Sequence, residues 1–229
     1  QAMMKGCLNV FKPEELVFTA LLEKDCQAVS EKTGVSYVMD VVSCAKNVKY
    51  LVLAIKPQVY PEILKALTGK IREEQIIISI APSYSIAQVK EGLGDNVRVV
   101  RAMPNTPAMV GEGMSGVCFS EDVYSGEERQ MIQNFFSSFG KMEVVPENLI
   151  NAVTVASGSS PAFVYMFIEA LADSAVKYGM PRDKAYTFAA QSVLGSAKMV
   201  LETGEHPGKL KDNVCSPGGT TIEGVAVLE

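Results

Sequence analysis

The stretch YLVLAIKPQVYPEILKALT, residues 50–68, carries the pattern that decides the fold of this chain. It begins with an apolar run of strand length, Tyr50–Ile55, and continues into the amphipathic stretch Pro61–Thr68. A strand that leads directly into a helix is the repeating unit of α/β proteins, in which crossover helices join parallel strands. The same unit recurs on both sides of residues 50–68.

Strand-like and helix-like segments alternate through the first two-thirds of the chain. The predicted strands are Leu16–Ala20, Ser36–Met39, Tyr50–Ile55, Ile76–Ile80 and Val97–Arg101, with Met114–Phe119 and Met142–Val145 as further candidates. The predicted helices are Lys24–Lys32, Pro61–Thr68, Ile86–Gly92 and Gly126–Phe139. This alternation predicts an α/β domain over residues 1–147, with a parallel, doubly wound, Rossmann-like sheet.

Long helical periods replace the strands from residue 148 onward. Ser160-Pro161 is typical of a helix start, with serine as the N-cap and proline at the first helical position. That helix is expected to end at Gly179, and a second one is expected between Pro181 and Gly204. Both are apolar on more than one face, which indicates burial on several sides. Residues 148–229 are therefore predicted to form an all-α dimerisation domain of a homodimer or higher homo-oligomer.

The composition excludes several classes of protein. The net charge of −5 gives no electrostatic footprint for nucleic acid or for an anionic membrane surface. The longest apolar runs are strand-sized, so no membrane partner is expected. Five scattered cysteines without a CxxC spacing are typical of reduced thiols in a cytoplasmic protein. His206 is the only histidine in the sequence, so neither a histidine-based metal site nor a Ser-His-Asp triad is expected.

Two stretches that follow predicted strands could border a ligand. In open α/β sheets, ligands lie beyond the carboxyl ends of the strands. Ala54-Ile55-Lys56-Pro57 closes one strand, and Arg101-Ala102-Met103-Pro104-Asn105-Thr106-Pro107 closes another with two prolines that stiffen it. Each stretch can also be explained without a ligand, as an ordinary strand terminator or a stiff connecting loop.

The turn Ser216-Pro217-Gly218-Gly219-Thr220-Thr221 precedes an apolar, helix-like stretch at the end of the sequence. A helix that starts near Gly218 would direct several unpaired N–H groups and the positive end of its dipole at one spot. Gly218 and Gly219 allow a ligand to approach closely, while Thr220 and Thr221 add hydroxyls. The turn predicts a site for a carboxylate or a phosphate, with a plain helix N-terminus as the alternative.

Taken together and in order, these stretches resemble the pyrroline-5-carboxylate reductase family. The resemblance covers essentially the whole chain, includes residues 157–162, and is most specific in residues 205–214 and 216–222. It implies an N-terminal Rossmann domain and a C-terminal helical dimerisation domain. It also implies hydride transfer from NADPH or NADH to the C=N carbon of 1-pyrroline-5-carboxylate, with proline as the product.

The resemblance implies roles for individual residues. The expected cofactor-binding residues are Ala54, Ile55, Lys56, Pro57, Met103, Pro104, Asn105 and Thr106. The expected substrate-binding residues are Glu205, Asn213, Ser216, Gly218, Gly219, Thr220 and Thr221. Thr221 is expected to be the catalytic side chain, as a hydrogen-bond partner of the ring nitrogen rather than a true acid. No metal is expected, because a protonated imine is already electrophilic and positioning the reactants is the main work.

The sequence also departs from the family pattern. The family's GxGxxG turn and the strand before it are absent, and we expect the native gene product to carry both before Gln1. A further helix that completes the dimer is expected after Glu229. Residues 21–24 place neither an acid nor an arginine at the ribose-reading position, so the choice between NADH and NADPH stays open.

Two rival functions stay open at the level of sequence. One is another two-domain nicotinamide enzyme, of the β-hydroxyacid dehydrogenase type, which relies on a helix-borne lysine. Lys177 and Lys184 are the available candidates, although the turn at residues 216–221 argues against this rival. The other is a non-catalytic oligomeric scaffold, which would follow if the glycine-rich turn were missing from the molecule itself.

Overall fold

A computed structural model describes residues 2–229 and, within them, every side chain except that of Ala2. The chain divides into two compact units, of which the first ends at Pro161 and the second spans Ala162–Glu229. The residue pattern of QAMMKGC, residues 1–7, is that of a helix already under way, and α1 (Ala2–Cys7) is observed there. Gln1 lies outside the described residues.

The first unit alternates strands with helices, as the sequence predicts. Its strands are β1 (Val17–Phe18), β2 (Ser36–Tyr37), β3 (Tyr50–Leu53), β4 (Ile76–Ser79), β5 (Arg98–Met103), β6 (Gly113–Phe119) and β7 (Gly140–Val144). After α1, its helices are α2 (Glu23–Thr33), α3 (Val41–Lys46), α4 (Tyr60–Leu67), α5 (Ile86–Leu93), α6 (Gly126–Ser137) and α7 (Ile150–Val153). Every predicted strand and helix of this region is present with slightly different ends, and α3 is an addition.

The strands form two sheets. β1 and β2 pair in parallel, and β3 to β7 form a five-stranded sheet in chain order. All neighbours in the larger sheet are parallel except β5 and β6, which run antiparallel with Val100 opposite Phe119. The predicted parallel pairing is confirmed for β3, β4 and β5, whereas the further candidate strand β6 runs antiparallel to β5. The link between β5 and β6 is too short for a helical crossover, which needs about a dozen residues or more, so the chain reverses.

Helices cover the larger sheet on both faces. β4 is buried along its whole length, as expected for a strand that is covered on both sides. On one face, Leu64 of α4 and Val89 of α5 contribute to the core. On the other face, Ile132 and Phe136 of α6 do so. The sheet is thus held rigidly in a three-layer arrangement, which fixes where its strand ends lie.

One continuous helix spans residues 150–177. It begins as α7, passes through a π-helical stretch (Thr154–Ser159), and continues as α8 (Ser160–Lys177). The prediction that a helix starts at Ser160 is therefore wrong. Ser160 has helical backbone angles, and its hydroxyl donates to the carbonyl oxygen of Ala156 at 2.8 Å instead of capping a helix. Ser160 and Pro161 can lie inside this helix because the π-helical stretch before them shifts the hydrogen-bond register. The shift changes which carbonyl groups face residue 161.

The second unit contains most of α8 and three further helices, α9 (Arg182–Thr203), α10 (Pro207–Val214) and α11 (Thr220–Leu228). The predicted second helix is confirmed as α9, which ends at Gly204 in the left-handed conformation. Many large apolar side chains of this unit are exposed in the single chain. They include Phe163, Tyr165, Met166, Phe188, Leu201 and Val227.

The helix Glu147–Lys177 is long and apolar enough to cross a membrane, judged by length and composition alone. Only 6% of its most apolar window is buried within the chain. Small polar residues interrupt its apolar runs, so a search for unbroken runs in the sequence misses it. Such a helix is weak support for a membrane protein, because an apolar helix face is equally suited to a contact between subunits.

Candidate functional site

The loops that follow β3, β4 and β5 leave the same edge of the sheet, because these strands are parallel neighbours. Residues 54–57 follow β3, and residues 104–106 follow Met103 at the end of β5. The structure therefore brings all the predicted cofactor-binding residues to one edge. Ala54, Lys56 and Thr106 are exposed there, and the others are half-buried. Residues 80–85, which follow β4, lie between the two predicted stretches.

Tyr60, the first residue of α4, joins the ends of β3 and β4. Its side chain is fully buried, and its hydroxyl donates to the carbonyl oxygen of Leu53 at 3.0 Å. The same hydroxyl lies 3.0 Å from the hydroxyl of Ser79, and its ring stacks on Tyr84 with centroids 4.4 Å apart. Burial raises the pKa of Tyr60, so the hydroxyl stays protonated at neutral pH. These bonds fix the strand ends from which the first two loops leave.

We expect Tyr60→Phe to lower the free energy of unfolding by about 1–2 kcal/mol, because the buried carbonyl of Leu53 then loses this donor. Urea denaturation at neutral pH measures the change. Tyr178→Phe is the matched control, because Tyr178 is 86% exposed and its variant should unfold like the wild type. Equal midpoints for Tyr60→Phe and the wild type would contradict the structural role assigned to this hydroxyl.

Arg101 links the loop after β4, residues 80–85, to Glu147, which lies just before the long helix. Its guanidinium donates to Glu147 Oε1 at 2.8 Å and to the carbonyl oxygen of Pro82 at 2.6 Å. The same oxygen of Glu147 accepts the backbone N–H of Ile86 at 2.8 Å. Arg101 is only 8% exposed. It therefore supports the loop from the protein interior, and its guanidinium is not available to bind a ligand at the surface.

Asn105 contacts the π-helical stretch. Its side-chain Nδ2 donates to the carbonyl oxygen of Ser157 at 3.0 Å, and its Oδ1 accepts the backbone N–H of Met114 at 2.8 Å. Gly158 approaches Met103 so closely that an added Cβ would lie 2.5 Å from the methyl carbon of that side chain. The loop after β5 and the π-helical stretch are therefore packed together.

The charge of this edge suits an anionic dinucleotide. Residues 54–59, 80–84 and 103–106 contain no Asp or Glu, and Lys56 supplies one exposed positive charge. A bound dinucleotide would meet backbone groups, small side chains and a cation, and the nearby carboxylate of Glu147 is paired with Arg101. Ala54–Pro57 and Met103–Thr106 would hold the cofactor, which supplies the hydride when it is bound.

The closing turn of the second unit has the geometry that the sequence predicts. Gly218 adopts φ 66°, and Gly219 is the N-cap residue of α11. Gly219 donates its N–H to the carbonyl oxygen of Ser216 at 3.0 Å, and no side chain caps the helix start. The first N–H groups of α11 are thus free of side-chain partners, and Ser216, Thr220 and Thr221 are exposed beside them.

Glu205 and Asn213 bracket the helix before this turn. Glu205 lies just before α10 and Asn213 in its last turn, and both side chains are exposed. His206 has a structural role, because its Nδ1 accepts the backbone N–H of Gly208 at 3.1 Å and caps α10. Lys211 pairs with Glu229 at 2.7 Å, which joins α10 to the end of α11.

The possible metal ligands and the thiols of the described residues are distributed as follows. Over residues 2–229, no three His, Cys, Asp or Glu side chains come together as a possible metal site. All five cysteines are free, and burial raises the pKa of Cys7, Cys44 and Cys118. These three thiols are therefore protonated and inert at neutral pH.

The sequence did not reveal the residues that hold the loops of the predicted cofactor-binding edge in place. Tyr60, Ser79 and Glu147 have no motif of their own, and their roles depend on contacts between distant parts of the chain. The only available signal was the unusual polarity of Ser79 at the end of an otherwise apolar strand. A buried hydroxyl in such a strand needs a partner.

An open sheet edge whose loops carry no Asp or Glu, followed in sequence by a helical unit, is the build of two-domain dinucleotide-binding proteins. Residues 147–229 match the family profile described as pyrroline-5-carboxylate reductase dimerisation. Residues 1–83 match the profile described as NADP oxidoreductase, coenzyme F420-dependent.

Individual relatives support one family. The pyrroline-5-carboxylate reductase of Escherichia coli strain K12 is 46% identical over 202 residues, which are 88% of this chain and 75% of the relative. The solved structure of the Coxiella burnetii reductase superposes with a TM-score of 0.89 at 30% identity, covering 99% of this chain and 85% of that one. The Plasmodium falciparum reductase, solved with NADP bound, gives 0.88 at 30% identity, with 99% and 84% covered. This chain belongs to the pyrroline-5-carboxylate reductase family.

Proposed function

We propose that this protein reduces 1-pyrroline-5-carboxylate to L-proline by hydride transfer from NADPH or NADH, the last step of proline biosynthesis. The observation that carries the proposal is the uncapped start of α11 in a member of this family. Its free N–H groups and helix dipole suit the carboxylate of a small substrate. Ser216, Gly218, Gly219 and Thr220 would hold that carboxylate.

The remaining second-unit residues complete the proposed substrate site. The hydroxyl of Thr221 accepts a hydrogen bond from the N–H of the protonated ring nitrogen, and Glu205 and Asn213 line the pocket. None of these groups must remove a proton from carbon, because the protonated imine accepts a hydride directly. The work of the protein is then to hold substrate and cofactor in a reactive orientation, and orientation can account for a large part of a rate acceleration.

For the cofactor, we propose binding along residues 54–57 and 103–106 of the first unit. The lack of carboxylates in these loops and the exposed charge of Lys56 support this assignment. The proposed boundary between the cofactor-binding and helical domains lies between residues 147 and 148, where the dimerisation profile begins. The structural units divide somewhat later, after Pro161.

We also propose that the helical domain forms a homodimer or a higher homo-oligomer in the cytoplasm. The match to a dimerisation profile and the exposed apolar side chains of α8 and α9 support the subunit contact. Such a contact would cover the apolar helix that could otherwise be read as a membrane span. The five free cysteines support a reducing compartment.

A spectrophotometric assay tests the reaction. We expect the native protein to oxidise NADPH or NADH when 1-pyrroline-5-carboxylate is added, and not to reduce NADP or NAD when β-hydroxyacids are added. Lys177→Ala and Lys184→Ala should keep turnover, because both lysines are exposed at helix ends and have no role in imine reduction. Loss of activity in either variant, or turnover of hydroxyacids, would favour the rival dehydrogenase. Failure to bind either NADPH or NADH would favour a scaffold.

A further inference from the structure

Pro161 lacks the N–H that would bond to one of two carbonyl groups of the long helix, according to the helical register. Proline has no N–H, so residue 161 cannot bond to the carbonyl oxygen four residues earlier, as in an α-helix. It cannot bond to the carbonyl five residues earlier either, as the π register would require. The carbonyls concerned are those of Ser157 and Ala156, at the point where the π-helical stretch passes into α8.

Side chains donate to both carbonyls. The hydroxyl of Ser160 donates to Ala156 at 2.8 Å, from within the same turn. The amide of Asn105 donates to Ser157 at 3.0 Å, from a loop that is distant in sequence. Asn105 therefore replaces the N–H that Pro161 lacks.

Both ends of the Asn105 amide are engaged. The backbone N–H of Met114 can only donate, so it must face Oδ1, and the carbonyl of Ser157 can only accept, so it must face Nδ2. These two partners fix the orientation of the Asn105 amide. Neither its oxygen nor its nitrogen needs a ligand to hold it in place. Met103, two residues earlier, packs against Gly158 of the same stretch.

We propose that Asn105 is a positioning residue, which clips the loop Met103–Thr106 to the π-helical stretch in place of the missing N–H of Pro161. It supports cofactor binding through the backbone of this loop and not as a ligand of the cofactor. This inference rests on the proposed function only in assuming that the loop borders the cofactor. The clip itself rests on the two hydrogen bonds of the Asn105 amide.

A double-mutant cycle between Asn105→Ala and Pro161→Ala tests the proposal. Pro161→Ala supplies an N–H to the carbonyl of Ser157, so this carbonyl no longer depends on Asn105. We expect Asn105→Ala alone to lower the thermal midpoint by several degrees and to weaken NADPH binding about tenfold, as loss of one buried hydrogen bond would. In the Pro161→Ala background, the same change should cause a smaller thermal shift, because the carbonyl of Ser157 keeps a donor. The loss of NADPH affinity should persist, because the loop has lost its bond to the helix in either background.

Thermal unfolding and NADPH fluorescence titration provide the two readouts. Asn134→Ala is the matched control, since Asn134 is exposed on α6 and its side chain bonds only to Gln130 of the same helix. Equal thermal losses of Asn105→Ala in both backgrounds would overturn the replacement of the missing N–H. Weaker NADPH binding with an unchanged thermal midpoint of the ligand-free protein would instead make Asn105 a direct ligand. If the wild type did not bind NADPH at all, the proposed function would fall, while the thermal coupling would still decide whether the clip exists.

Discussion

Glu128→Gln is expected to lower the free energy of unfolding by about 3 kcal/mol at neutral pH, which is the scale expected when one member of a buried ion pair is lost. Glu128 lies in the first turn of α6 and is only 6% exposed. Its carboxylate accepts from Lys49 at 2.9 Å, from Arg98 at 2.8 Å and from the backbone N–H of Ser125 at 3.0 Å. Removal of the charge leaves the largely buried Arg98 without its carboxylate.

The effect of Glu128 depends on pH in a defined direction. Burial alone would raise the pKa of Glu128, but the bonds from Lys49, Ser125 and Arg98 outweigh it and lower the pKa to about 2, from an ordinary value of 4.5. A carboxyl group with a lowered pKa in the folded state stabilises the fold above its unfolded pKa. The difference between wild type and Glu128→Gln should therefore be full at pH 7 and shrink as the pH falls from about 5 towards 2.

Urea denaturation of both proteins at pH 7 and at pH 3 checks this expectation. Glu127→Gln is the matched control, because Glu127 occupies the same helix turn, carries the same charge and is exposed. Its loss should change stability by a few tenths of a kcal/mol at most. Equal effects of the two substitutions at pH 7 would show that burial and pairing add nothing at residue 128.

Thr221→Val is expected to reduce turnover of 1-pyrroline-5-carboxylate by at least tenfold. The variant keeps the shape of the side chain and removes the hydroxyl proposed to bond the ring nitrogen. Loss of one hydrogen bond to a charged group, which here orients the reacting C=N bond, costs about 1.5–3 kcal/mol, which corresponds to roughly tenfold or more in rate. Thr221→Ser should keep most of the turnover, since it keeps the hydroxyl.

Steady-state kinetics with both substrates varied give kcat and KM separately for each variant. Thr187→Val is the control, because Thr187 is an exposed threonine of α9 whose hydroxyl bonds only within its own helix. Turnover by Thr221→Val within about twofold of the wild type would remove Thr221 from the reaction. A loss confined to KM would assign it to substrate binding alone.

Local patterns in the sequence predicted most of the fold. Residues 76–79 form β4, a strand that is buried on both faces. The run of isoleucines at residues 76–78 makes that burial visible in the sequence. The antiparallel β6 was not predicted, because strand direction depends on the length of the preceding link and not on the strand itself. The π-helical stretch was missed because Ser160-Pro161 has the same appearance at a helix start and inside this helix.

The candidate site divides in the same way. The closing turn was accessible from sequence, since Gly218 and Gly219 have the local geometry that their residue type suggests. The residues that hold the cofactor-binding loops in place were not accessible from sequence. Tyr60 and Asn105 act through hydrogen bonds to residues 7 and 52 positions away in the chain. A single sequence does not indicate which distant carbonyl lacks a donor until the fold brings the two together.

The distribution of the cysteines has a practical consequence for studies of this protein in solution. Cys7, Cys26, Cys44 and Cys118 are buried, whereas Cys215 is half-buried and directly precedes the closing turn. A thiol-reactive fluorophore added under native conditions should therefore attach preferentially at Cys215. The wild-type chain thus carries its own attachment point for an optical reporter beside Ser216–Thr221, and no engineered label is needed to follow ligand binding there.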